Sequence, residues 1–304
     1  MLFWLTISGL ILLLLLLAIG HFYAPTLIVR IDKNASKLKA APAFSNDQQQ
    51  GEELSISSFD NTPISGYWTY AQTASPKGTV ILLHGIRSQK ELFVEVSQYI
   101  AQQGYHAVAL DLRAHGKSGG SYCTFGVQEK KDISTVVDYL QALSDEHDYI
   151  GIWGVSLGGA IGLQTMQADL RIQFAIIEST FSEFRAIVHD YCKDTLRFNH
   201  PRLTQYLIGR ASQIAKVNYQ EAAPLASCHQ IDRPVMIVHG KHDQKVNVNY
   251  AKANYEALQS PAKEWVEMQD ADHYNIWELG GEAYYQKIIN FINKTQSCQP
   301  IETP

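Results

Sequence analysis

The sequence predicts an α/β fold, with a mostly parallel sheet, helices on both faces, a helical cap inserted over one end of the sheet and an N-terminal transmembrane helix. Short apolar runs alternate with helical patterns from Leu54 to about Asn293. The interval from Glu178 to Pro234 is too long for a simple crossover, and Met1 to Ile19 is almost wholly apolar. Short buried strands separated by helices of about 10–15 residues indicate a parallel sheet covered on both faces.

Taken in order, Leu54–Phe59 and Ile64–Tyr70 cluster β-formers around Asn61-Thr62-Pro63 and read as a hairpin. Val80–Leu83 is the next strand, followed by a helix over about Glu91–Gln103. His106–Leu110 precedes a helix over about Val127–Leu143, and Tyr149–Trp153 precedes a helix opening at Leu157. Phe174–Ile177, Val235–Val238 and Glu264–Met268 complete the strands. The cap, about residues 179–230, is rich in aromatics such as Phe181, Phe184, Tyr191, Phe198 and Tyr206. Each of these, taken alone, reads as an ordinary packing contact.

No Asp, Glu, Lys or Arg precedes Arg30, and the apolar run approaches the ~20 residues that span a bilayer as a helix. A cleaved secretory signal is the competing reading, with Ala18-Ile19-Gly20 as the cleavage site. It lacks a basic leading region. The segments are therefore an anchor at 1–20, a tether at 21–53, a globular domain at 54–296 and a tail at 297–304. Arg30, Lys33, Lys37 and Lys39 follow the anchor and favour a cytoplasmic domain. An anchored export signal would place it on the other side.

The formal net charge of −5 argues against nucleic acid as a partner. Charged residues make up 18%, below the ~25% of an average soluble protein, while 46% hydrophobic residues supply a large core. Cys123, Cys192, Cys228 and Cys298 are scattered, with no C-x-x-C pair, and read as free thiols. An oxidising compartment would allow one disulfide.

Gly154-Val155-Ser156-Leu157-Gly158 matches G-x-S-x-G between a strand and a helix, the setting of a nucleophile elbow. Glycines at the flanks relieve crowding, and a helix N-terminus at Leu157 presents free N–H groups to a developing oxyanion. A serine hydroxyl needs a base and an orienting acid, in the chain order serine, acid, histidine. Asp243 and His273 each follow a strand and satisfy that order. His242, Asp270 and Asp272 are rivals, and Glu178 is a second candidate acid. The backbone N–H of Leu157 would give one oxyanion donor; that of Ile86, in His84-Gly85-Ile86, would give the other. His84, His115, His239 and His242 lie in separate loops without metal-ligand spacing, and no metal or cofactor is implied.

His84-Gly85, the segment Asp111–Ser118, Gly154–Gly159, His239-Gly240 with Asp243, and His273 together resemble an α/β-hydrolase of the serine aminopeptidase-like and monoacylglycerol-lipase-like group. The resemblance covers about Leu54–Asn293. It implies Ser156, Asp243 and His273 as a catalytic triad, with Asp111–Ser118 shaping the floor of the site. Asp272 departs from the glycine that often precedes the histidine in such proteins; its carboxylate would either raise the basicity of His273 or face solvent. The expected activity is hydrolysis of a carboxylic ester, a lipid-like acyl ester or thioester included. The alternatives are a peptidase of short peptides and a catalytically silent membrane-tethered scaffold. The expected partners are a small or lipid-like acyl substrate and the membrane, and the sequence leaves oligomeric state open.

Overall fold

The computed structural model describes residues 2–31, 44, 50–143, 148–197 and 199–297. Most of the tether, Phe198, Cys298 and the rest of the tail beyond residue 297 lie outside these residues.

The strands are β1 (Gly51–Ser57), β2 (Pro63–Thr69), β3 (Thr79–Leu83), β4 (His106–Leu110), β5 (Ile150–Val155), β6 (Ile172–Glu178), β7 (Val235–Gly240) and β8 (Lys263–Met268). They form one sheet in the order β1-β2-β4-β3-β5-β6-β7-β8. β1 and β2 pair antiparallel, as the hairpin reading expects, and β2 pairs antiparallel with β4. Every pairing from β4 to β8 is parallel. β3, β4 and β7 are buried along their whole length, which is why they read as continuous apolar runs rather than alternating ones.

The helices are α1 (Leu2–Ala18), α2 (Thr26–Val29), α3 (Val94–Gln102), α4 (Glu129–Gln141), α5 (Leu157–Ala168), α6 (Phe184–Leu196), α7 (Pro201–Ala215), α8 (Pro224–Cys228), α9 (Val248–Ala257) and α10 (Ile276–Ser297). Side chains along β5 alternate between two cores. Ile152 packs with Leu157 and Ile161 on one face, while Trp153 packs with Phe93 and Tyr284 on the other. The sheet is thus sandwiched between helical layers, and α6, α7 and α8 fill the long interval between β6 and β7.

Both ends of the expected tether carry structure. β1 begins at Gly51, three residues before the sequence suggests, and residues 19–29 continue as a π-helical turn and α2. Val29 is fully buried, and the Cys123 N–H donates to its carbonyl at 2.9 Å. The tether reading rests on the polar, aperiodic run from Asp32 to Glu53, whereas residues 21–31 are largely apolar and bury Val29 and Ile31 against the domain. Among the described residues Cys123, Cys192 and Cys228 are buried and free. One helical stretch among them, Phe3–Val29, is long and apolar enough to cross a membrane, and its most apolar window is entirely unburied.

Candidate active site

Parallel strands deliver their carboxyl ends to one edge, so loops far apart in sequence converge there. Leu83 pairs with Gly154, Val155 with Glu178, Glu178 with Val238, and Gly240 with Met268. The loops holding Ile86, Ser156, Asp243 and His273 all leave from this edge.

Ser156 sits between β5 and α5 with φ 54° and ψ −112°, a conformation that side-chain-bearing residues rarely adopt. Hydrogen bonds hold the turn on several sides. The Ser156 N–H donates to the Glu178 carbonyl at 2.8 Å, and its own carbonyl accepts from Ala160 N at 3.1 Å and Thr180 Oγ1 at 2.9 Å. The flanking glycines are steric requirements: a Cβ on Gly158 would lie 2.0 Å from the Leu83 carbonyl oxygen, and one on Gly154 would lie 2.4 Å from that of Gly158. Backbone atoms of the sheet and of α5 cannot yield to such contacts. This strained strand-to-helix turn is the backbone geometry that a nucleophile elbow would need.

Asp243 and His273 meet directly. His273 Nδ1 donates to Asp243 Oδ2 at 2.7 Å, which leaves Nε2 as the ring nitrogen free to accept a proton. Asp243 Oδ1 accepts the N–H groups of Lys245 and Val246, each at 2.8 Å, and His239 Nε2 lies 3.3 Å from Oδ2. Burial pushes the Asp243 carboxyl upward, but hydrogen bonds from His239 and His273, the charge of His273 and the Val246 N–H outweigh it. The carboxyl is held well below the usual range. Among the described residues the Ser156 hydroxyl has no hydrogen-bond partner; contacts of this kind often close only when substrate is bound.

The rivals go elsewhere. Asp272 turns back on its own loop, with Oδ1 accepting the Tyr274 N–H at 2.7 Å, so its carboxylate caps a turn instead of touching His273. His242 and Asp270 are exposed. Glu178 is buried on the other face of the sheet, where Oε1 accepts from Trp153 Nε1 and the Tyr284 hydroxyl, both at 2.6 Å. Its Oε2 accepts from Trp277 Nε1 at 2.8 Å, and burial pushes its carboxyl up to about 7.

The loop after β3 lies beside the serine, since a Cβ on Gly85 would stand 3.4 Å from Ser156 Cβ. His84 orders this loop. Its Nδ1 donates to the Gly85 carbonyl at 2.7 Å, and its Nε2 accepts from Leu112 N at 3.1 Å. That pattern fixes a neutral ring, and burial holds its pKa low. Among the described residues neither the Ile86 nor the Leu157 N–H is engaged. The floor segment is structural: Asp111 Oδ2 pairs with the fully buried Lys90 at 3.1 Å, and Arg113 bridges Asp60 and Asp132. Lys90, and the contact of His239 with the acid, carry no sequence signal, because neither stands in a spaced motif. Among the described residues no group of three or more His, Cys, Asp or Glu side chains could hold a metal ion.

The fold together with a family match makes this chain an α/β-hydrolase-type enzyme. The match to the prolyl oligopeptidase family (Peptidase_S9) spans residues 92–296, about two thirds of the chain, and the chain belongs to that family. It is similar to the uncharacterized protein YqkD of Bacillus subtilis, at 24% identity over 81% of each chain. It is also similar to 2,6-dihydropseudooxynicotine hydrolase of Paenarthrobacter nicotinovorans, at 25% identity over 77% of this chain and 62% of that one. The Pyrococcus furiosus esterase Pf2001 has the same fold, with a TM-score of 0.68 at 23% identity over 84% of this chain and 97% of that one.

Proposed function

We propose that this protein is a membrane-anchored serine hydrolase that cleaves a carboxylic ester through an acyl-enzyme. The observation that carries the reading is the 2.7 Å bond from His273 to the buried Asp243, formed at the sheet edge that also holds the strained Ser156 elbow. Ser156 Oγ attacks the acyl carbon while His273 Nε2 takes its proton, and Asp243 holds the ring in the required tautomer. The Ile86 and Leu157 N–H groups receive the charge that develops on the carbonyl oxygen. Collapse expels the alcohol, protonated by His273, and water then repeats the sequence to release the acid.

A lipid-like acyl ester suits an enzyme with an apolar N-terminal helix and an aromatic cap. The narrower likeness to the serine aminopeptidase and monoacylglycerol lipase group rests on the sequence motifs alone. Membership of a peptidase family favours a second reading, cleavage of short peptides. Comparing turnover of p-nitrophenyl acyl esters with aminoacyl-nitroanilides separates the two. A fluorophosphonate probe tests both together. We expect labelling of the wild type and none of Ser156→Ala; equal labelling, or none of either, refutes the hydrolase reading and leaves a scaffold.

A further inference from the structure

The N-terminal helix does not hang free of the domain. Its π-helical base meets the outward side of α7, where His21 Nδ1 and the Tyr206 hydroxyl lie 2.5 Å apart and Arg210 Nε donates to the His21 carbonyl at 3.5 Å. At 100° per residue, Tyr206 and Arg210 project opposite the buried face of α7, formed by Thr204, Ile208 and Ala211. Just beyond, Val29 is locked into the domain by burial and by the Cys123 N–H. The apolar helix is therefore fixed to the cap at its base, and the cap's outer face lies beside the point where that helix emerges.

The exposed side chains of this face fit a bilayer surface. Leu203 is 39% exposed, Tyr206 46% and Tyr191 46%, while Phe22, Tyr23 and Leu27 in the adjoining segment are each more than half exposed. Aromatic side chains beside an apolar helix are typical of the membrane interface. The charge points the same way. Residues 184–216 carry six cations, Arg185, Lys193, Arg197, Arg202, Arg210 and Lys216, against Asp190 and Asp194, a formal +4 in a chain of net −5. All six but Arg210 are exposed. A cationic segment with exposed aromatics at the foot of an apolar helix matches an anionic leaflet.

We infer that the outer face of α6 and α7 is a membrane-docking surface that lies on the anionic leaflet from which the N-terminal helix emerges. This rests on the anchor reading above, and it adds that the cap, not only the helix, meets lipid. The surface borders the candidate site, since Arg87, next to Ile86, donates from Nη1 to the Tyr191 hydroxyl at 3.5 Å.

The test is a depth measurement on the full chain, in a Cys298→Ser background so that only buried thiols remain beside the introduced one. Nitroxide labels are placed through Leu203→Cys on the cap face and Leu170→Cys, which is 78% exposed at the opposite edge of the sheet. In vesicles of phosphatidylcholine with about a third phosphatidylglycerol, the Leu203 site should collide with oxygen at least threefold more often, relative to a water-soluble nickel chelate, than the Leu170 site. Reversing charge with Lys193→Glu, Arg202→Glu and Lys216→Glu, or omitting phosphatidylglycerol, should at least halve that ratio. Protein that floats with vesicles while both labels read equally aqueous overturns the docking surface and leaves the anchor standing. Protein that does not float overturns the anchor and the surface with it. A ratio unmoved by charge reversal and by lipid charge overturns the anionic leaflet as the partner.

Discussion

Asp243 Oδ2 faces two imidazoles, His273 at 2.7 Å and His239 at 3.3 Å, while Oδ1 is held by two backbone N–H groups. This environment holds its carboxyl below the ordinary 3.8, so the stability it contributes is present above that pH and lost as pH falls below it. Asp243→Asn should keep the fold, which a melting curve checks, and lower kcat by about 10⁴-fold, because the amide favours the wrong tautomer of His273. Lys90 presents a different case. Its fully buried ammonium lies 3.1 Å from Asp111 and 3.3 Å from Ser65 Oγ. Lys90→Met should cost about 3–5 kcal/mol in urea unfolding, because it strands the Asp111 charge in the interior. The three candidate site residues were legible in the sequence because each follows an apolar run and they occur in a known order. Lys90 was not, because an isolated lysine in a polar stretch looks the same whether buried or solvated until packing decides.

At the scale of elements, Glu178 ties β6 to α10. That helix is kinked at Gly281, which has φ 52° and ψ −152°, and the carboxylate takes one donor from each side of the kink, Trp277 and Tyr284. The first turn of α10 begins three residues after His273, so the same contact braces the loop that carries the candidate base. Glu178 is raised from 4.5 to about 7, and the folded state therefore binds more protons than the unfolded state across that interval. Stability is full below the unfolded value and falls by about 3 kcal/mol as pH climbs toward 7. Glu178→Gln should flatten the melting temperature between pH 5 and 7.5 relative to the wild type; parallel curves would show that another group sets the slope. The strands and the helices that follow β3, β4 and β5 were readable from the sequence pattern to within a few residues, whereas α9 and α10 were not placed. The role of Glu178 was not, because the end of a strand places a carboxyl near the site without saying which face it takes.

At the scale of the molecule, the N-terminal segment belongs partly to the domain. Removing residues 1–18 should leave the melting temperature within about 2 °C, since none of the described side chains, residues 3–18, is buried. Removing residues 1–31 should destabilise the domain by about 2–3 kcal/mol, because the buried Val29 side chain and the Cys123 bond go with it. Differential scanning calorimetry of the two truncations decides the matter. Composition could place an apolar helix at the N-terminus, but Val29 is tied to Cys123 in the middle of the chain, and no local pattern announces that contact. The docked segment also bears on how such an enzyme would meet its substrate. Residues 21–29 are tied both to α7 and to Cys123, so on the anchored reading proposed above the domain is held close to the base of the apolar helix. For the lipid-like ester proposed above, and with the bilayer seated as inferred, substrate would arrive by lateral diffusion, and the rate would follow molecules per unit of surface rather than per unit of volume.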